Sequence, residues 1–160
     1  MRTIKFKGKR LDNGEWVVGD LAHSLDGTLN ILCFDTKDGV TNFSGSHLID
    51  PKTVCQFTGF TDKNGREIYE GDVLRSDLLP FSIKDGPVAM IDVYFTSVVW
   101  SRSFGMFGLA VYLNGLYKPA GGAFSPSSFM EITEKRCKDF EVTGNVHNTE
   151  WRQKLNLEKE

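Results

Sequence analysis

Short apolar runs separated by polar turn dipeptides fill the first 115 positions of the chain, and the 3.6-residue spacing of an amphipathic helix is nearly absent from them. The clearest runs are Trp16-Val17-Val18, Leu29–Phe34, Val88–Trp100 and Gly108–Leu113. They are rich in β-branched and aromatic residues, which suit a pleated, half-buried surface. Six dipeptides punctuate them: Asn-Gly at Asn13, Asn64 and Asn114, and Asp-Gly at Asp26, Asp38 and Asp85. Both central residues of a type I′ turn need positive φ. Asn and Asp tolerate this and Gly adopts it freely, so each pair predicts a tight hairpin.

In chain order the pattern predicts strands over Ile4–Lys9 and Glu15–Leu21, then Thr28–Phe34 and a partner after Asp38-Gly39. His47–Thr53 reads as a connection, because Pro51 cannot donate to a central ladder. Residues 56–75, QFTGFTDKNGREIYEGDVLR, organise the rest: an extended run, a turn at Asn64-Gly65, a strand over Glu67–Tyr69, a corner at Gly71 and a further strand. The corner repeats an earlier one, since Gly19-Asp20 and Gly71-Asp72 each close a hairpin and lead into an apolar run. Residues 76–87 read as a long loop and Val88–Trp100 as a strand with a bend or bulge. Gly105–Leu113 and Leu116–Lys118 form a hairpin, and Ala120–Ala123 is flexible by composition. Ser127–Lys138 fits a short helix or a strand plus loop, and Phe140–Val146 reads as a strand. Over residues 149–157, Trp151 and Leu155 stand at i and i+4 behind a Thr149 cap, which predicts a short C-terminal helix.

The expected fold is all-β, mainly β with that C-terminal helix, as a barrel-like or half-barrel assembly of hairpins. One domain over 1–160 is expected, open to division into two sub-barrels, about 1–55 and 56–148, that share a core. With 40% apolar and 25% charged residues, a chain of 160 can bury a core without disulfides or metal. No apolar run approaches the ~20 residues of a membrane helix, and MRTIKFKGKR lacks the apolar segment of a signal peptide. The odd count of three cysteines reads as free thiols in a reducing cytoplasm. Lys and Arg total 19 against 21 for Asp and Glu, a net charge of -2, which disfavours a protein living by counterion release on nucleic acid. Charge is uneven, with five cations between Arg2 and Arg10, and four carboxylates against two cations between Asp62 and Asp72. Two solvated faces explain that without a binding patch.

Three blocks, FKGKRLDNGEWVVGDL, TVCQFTGFTDKNGREIYEGDVLR and FEVTGNVHN, together resemble the YopX family of small proteins encoded mainly by bacteriophages and prophages of Gram-positive bacteria. The central block is the most diagnostic: Gln56, Thr58-Gly59, Asp62, Asn64-Gly65, Ile68-Tyr69 and Glu70-Gly71-Asp72. Cys55 stands where Gly is usual, the segment between Asp77 and Pro87 is longer than in short members, and His147 and Thr149 depart in the last block. The resemblance implies a β-rich, barrel-like fold that self-associates, and a place in the cytoplasm of the bacterial host. It implies no activity, cofactor or catalytic residue.

The residues themselves point the same way. Asp62, Glu67, Glu70 and Asp72 offer the oxygens that hard cations want. Strand alternation, however, sends Glu67 and Tyr69 to one face and Ile68 and Glu70 to the other, so the four carboxylates do not converge. Glu70-Gly71-Asp72 reads better as a corner with a side-chain-to-backbone bond. His23, His47 and His147 have no metal-site spacing, and no hydrolase, phosphate-loop or dinucleotide motif occurs. A binding module is favoured over an enzyme, with no catalytic residue, metal or cofactor expected. Gly59, Asn64, Gly65, Glu70, Gly71 and Asp72 are expected to carry the structural motif, and Trp16 and Ile68 to matter for the fold as well. Partner contact is assigned to Tyr69, Arg75, Trp100 and Arg102. Trp100 with Arg102, Phe104 and Phe107 could stack bases beside a cation, so a single-stranded nucleic-acid binder is one alternative. A metal-dependent nuclease or hydrolase is the other. The expected partners are a second copy of the chain and a host or phage protein, with nucleic acid as the alternative and no membrane. Exposed hairpin edges are the means.

Overall fold

A computed structural model describes residues 3–76, 94–102, 105–112 and 129–154. Of the predicted loop at 76–87, Ser76 is the last residue of a strand; the rest of it, with Leu116–Lys118 and Ala120–Ala123, lies outside the described residues. The chain divides into two compact units, Met1–Gly59 and Phe60–Glu160.

The first unit is an antiparallel sheet of β1 (Phe6–Lys9), β2 (Trp16–His23), β3 (Leu29–Lys37), β4 (Val40–Leu48) and β5 (Cys55–Thr61), whose last two residues pass into the second unit. The strand order is β4-β3-β2-β1-β5. Its turns fall at the predicted dipeptides. Asn13 accepts the Glu15 N–H at 3.0 Å, Asp26 accepts the Thr28 N–H at 3.0 Å, and Asp38-Gly39 takes φ of 53° and 78°. The strand β4 runs through His47 and Leu48, which the sequence assigns to a connection. Pro51 bars only its own position, so the connection shrinks to a bridge between Arg10 and Ile49 and a 3-10 turn over Pro51–Thr53 capped by Asp50. Ile31, Ile49, Cys55 and Phe57 are buried here. Between Cys33 and Phe34 the β3–β4 register shifts, leaving Ser44 as an extra residue on β4. Beyond that bulge every residue from 34 to 44 is exposed.

In the second unit the end of β5 turns at Asp62–Arg66 into β6 (Glu67–Tyr69). There follow β7 (Asp72–Ser76), β8 (Tyr94–Ser101), β9 (Met106–Tyr112), β10 (Phe129–Glu131), helix α1 (Glu134–Cys137), β11 (Glu141–Asn145) and helix α2 (Thr149–Lys154). The sheet order β10-β9-β8-β7-β11 is antiparallel throughout. Leu74 lies opposite Val142 and Val98 opposite Leu109. With Ile68, Phe107, Ile132, Cys137 and Phe140 they form one buried cluster, against which Phe60 packs. Of the two readings of 127–138, both occur in succession, a short strand and then a helix capped by Thr133. The C-terminal helix is present, but Thr149 is inside it. Asn148 supplies the carbonyl that accepts the Trp151 and Arg152 N–H groups at 3.0 Å, so the helix starts one residue earlier than the Thr149 cap predicts. The fold is mainly β, as expected, and among the described residues its two sheets stay open and close no barrel.

Candidate functional site

The acidic residues of the central block are where chemistry would be sought, and the fold engages two of them inside the second unit. Asp62 is 5% exposed. Its Oδ1 accepts the N–H groups of Asn64 at 2.8 Å and Arg66 at 2.9 Å, which fixes the Asn64-Gly65 turn. Its Oδ2 accepts the N–H of Val142 on β11 at 2.9 Å. The Lys63 N–H donates to the Phe140 carbonyl, and the Arg66 guanidinium donates to the Val142 carbonyl at 3.2 Å. One carboxylate thus closes a hairpin and ties it to a strand 80 residues further along.

Asp72 does the same at the next corner, at 1% exposure. Its Oδ2 accepts the Tyr69 N–H at 2.9 Å, the side-chain-to-backbone bond expected there. Its Oδ1 accepts from the Asn145 amide at 2.9 Å, and Asn145 also donates to the Glu70 carbonyl at 3.3 Å while accepting the His147 N–H. Gly71 turns the chain at φ 74°; its N–H donates to the Val98 carbonyl and its own carbonyl accepts from Val146. A Cβ there would sit 3.1 Å from Val146, so both the angle and the space select glycine.

The other singled-out residues scatter. Gly59 is exposed at φ 94°, Asn64 and Gly65 are exposed at the turn, and Glu70 is half-buried. Tyr69 is 4% exposed with its hydroxyl donating to Glu67 at 2.7 Å, so its ring presents little surface to a partner. Arg75 is exposed on β7, opposite Glu141 and Phe95 in register. Trp100 is 44% exposed at the end of β8, edge-on to Phe107 with ring centroids 4.9 Å apart, and Arg102 is exposed in the turn that follows. Among the described residues no three His, Cys, Asp or Glu side chains are grouped to hold a metal ion. What sequence reasoning missed is Asn145. Its block, FEVTGNVHN, is plain in the chain, but nothing local says that β11 lies beside β7.

Burial lifts two acid groups. The Tyr69 hydroxyl is pushed above its ordinary range, by burial first and then by its bond to Glu67. The Cys137 thiol rises from 9.0 to about 11, again by burial first, with the charges of Asp62 and Glu134 adding to it. Both shifts favour the neutral form in the folded chain. For Cys137 the stabilisation is therefore complete below pH 9.0 and lost as pH climbs through about 11, while that of Tyr69 persists to higher pH. Urea midpoints should fall between pH 8.5 and 11, and Cys137→Ala should flatten part of that fall; an equal slope in the variant would refute the assignment.

The class defined by these features is a two-unit, mainly β protein in which the most distinctive block of sequence builds turns and staples. The chain belongs to the YopX family: the family model described as YopX protein matches residues 5–151. The crystal structure of protein EF1440 from Enterococcus faecalis is similar in fold, with a TM-score of 0.50 and 16% identity, covering 97% of this chain and 99% of that one. No curated protein matches the chain. Among the described residues no helix is long and apolar enough to cross a membrane.

Proposed function

We propose that the chain is a phage- or prophage-encoded interaction module that acts in the cytoplasm of the bacterial host as a homo-oligomer, holding protein partners on its hairpin surfaces. The observation that supports this most is the use made of Asp62 and Asp72. Both are buried, and both carboxylates accept hydrogen bonds from the fold itself, so the best candidates for reactive chemistry serve as tethers. Apart from Trp100, the large apolar residues exposed among the described residues all lie in the first unit, at Ile4, Leu11, Val18, Leu25, Phe34, Val40, Phe43 and Leu48. Sedimentation of the intact chain tests the reading, with a mass at a multiple of one chain expected. A thermal shift with Mn²⁺ or Mg²⁺ that Asp72→Asn abolishes would favour a metal-dependent hydrolase instead.

A second reading, single-stranded nucleic-acid binding, is favoured by one feature, the half-open indole of Trp100 with exposed Arg102 in the adjoining turn. It requires retention on oligo(dT) that drops steeply with salt. Removing one stacked ring, in Trp100→Ala, should weaken binding about tenfold. Retention indifferent to salt or to that substitution counts against it.

A further inference from the structure

The β3–β4 hairpin leaves the first unit as an exposed arm, and its free edge has a geometry that points to one occupant. A two-residue type I′ turn closes on a hydrogen-bonded pair, here Lys37 and Val40 around Asp38-Gly39. Antiparallel ladders alternate, so Thr36/Thr41 and Phe34/Phe43 are the non-hydrogen-bonded pairs, where side chains approach most closely. The contacts agree: the Thr36 and Thr41 hydroxyls are 2.9 Å apart, and the Phe34 and Phe43 rings meet edge-on at 5.8 Å. The backbone N–H and C=O groups of Thr41 and Phe43 therefore point away from β3, and among the described residues β4 is the last strand of its sheet.

Exposed edges are usually blunted by Lys, Pro or inward charges. The strand Val40–Leu48, VTNFSGSHL, has no Lys, Arg, Asp, Glu or Pro; the nearby charges Asp35, Lys37 and Asp38 sit on β3 and the turn. The side chains beside this edge are apolar and open, with Phe34 at 46%, Val40 at 58% and Phe43 at 60% exposure. The absence of charge distinguishes one partner from others. When a strand pairs with its own copy across a two-fold axis, a charge on the axis meets its like, so the axial position of a self-pairing strand should be neutral, as Asn42 is.

We propose that this arm joins two copies of the chain, β4 pairing antiparallel with β4 of a second copy about a two-fold axis at Asn42. This deepens the interaction-module reading and rests on its oligomeric part. Centred there, Thr41 lies opposite Phe43 of the second copy as a hydrogen-bonded pair, which uses the outward-facing backbone groups. Asn42 lies opposite Asn42 of the second copy, where each amide has both a donor and an acceptor to exchange. Phe34, Thr36, Thr41 and Phe43 share one face, so the Phe34–Phe43 row of one copy runs on into the Thr41–Thr36 row of the other. The extra residue at Ser44 ends the matched register, which confines the joint to the tip of the arm.

Charge placed on the axis tests this with the full chain. Asn42 is exposed, so Asn42→Lys and Asn42→Asp should leave far-UV circular dichroism unchanged. Each variant alone should halve the sedimentation mass by setting like charges face to face, and an equimolar mixture of the two should restore it. If the unaltered chain sediments as a single copy, the oligomeric reading and this joint both fail. If it is oligomeric but both variants keep its full mass, or the mixture does not recover it, self-association stands and the β4 joint is wrong.

Discussion

Replacing Asp62 by Ala is expected to lower the unfolding free energy by about 3–5 kcal/mol, a large share of what a domain of this size commands. Three N–H groups lose a charged acceptor at once, those of Asn64, Arg66 and Val142. They are not equivalent. Asn64 and Arg66 are exposed residues, so water can take over much of what their N–H groups lose. Val142 is 5% exposed and belongs to the buried cluster, so its N–H would be left without a partner in an apolar setting. An unmet buried donor costs about 1–3 kcal/mol, and bonds to an ionised acceptor are roughly twice as strong as neutral ones. Asp62→Asn keeps one oxygen but turns an NH₂ toward one of the donors, and should cost about half as much. Urea unfolding of the two variants checks the order; a loss under about 1 kcal/mol for Ala would mean that the tie to β11 is not what holds the motif.

This tie also marks the limit of what the chain discloses by itself. Hairpins at Asn13-Gly14, Asp26-Gly27, Asp38-Gly39 and Asn64-Gly65 are legible because each glycine meets a local demand for positive φ, but both residues take positive φ, as type I′ requires, at Asp38-Gly39 alone of the four. The bond from Asp72 to the Tyr69 N–H is legible for the same reason, since it spans three residues. The second half of that carboxylate's work is not. Asn145 lies 73 residues away, and its approach depends on β11 taking the place beside β7, a pairing that no local preference encodes. The cover over Tyr69 is not legible in strand parity either. Alternation separates Ile68 from Tyr69, but it does not say that a face is wet. With Ile68 at 0% and Tyr69 at 4% exposure, both sides of β6 are covered. The start of the last helix slipped by one residue because Asn148 and Thr149 are both good caps, and only the backbone bonds decide between them.

Gly144→Ala should be nearly as damaging as the loss of Asp62, for a steric reason invisible in the composition of the last block. A Cβ at position 144 would fall 1.9 Å from Nε1 and 2.2 Å from Cδ1 of Trp151. Indole is rigid and Trp151 is 7% exposed, so no flexible tip can swing aside. Either α2 lifts away, with Trp151 leaving its place against β11, or the strand shifts at its bulge between Val142 and Gly144 and disturbs the Asp72–Asn145 pair. Overpacking of this kind costs about 1–3 kcal/mol, and loss of a buried aromatic about 3–5, so a destabilisation of about 2–4 kcal/mol is expected. The cause can be separated from a general dislike of Ala in that strand. Trp151→Ala removes the atoms that clash, so in that background Gly144→Ala should cost almost nothing, and the two substitutions should be far from additive. Additivity within about 0.5 kcal/mol would show that the glycine is held there by something other than the indole.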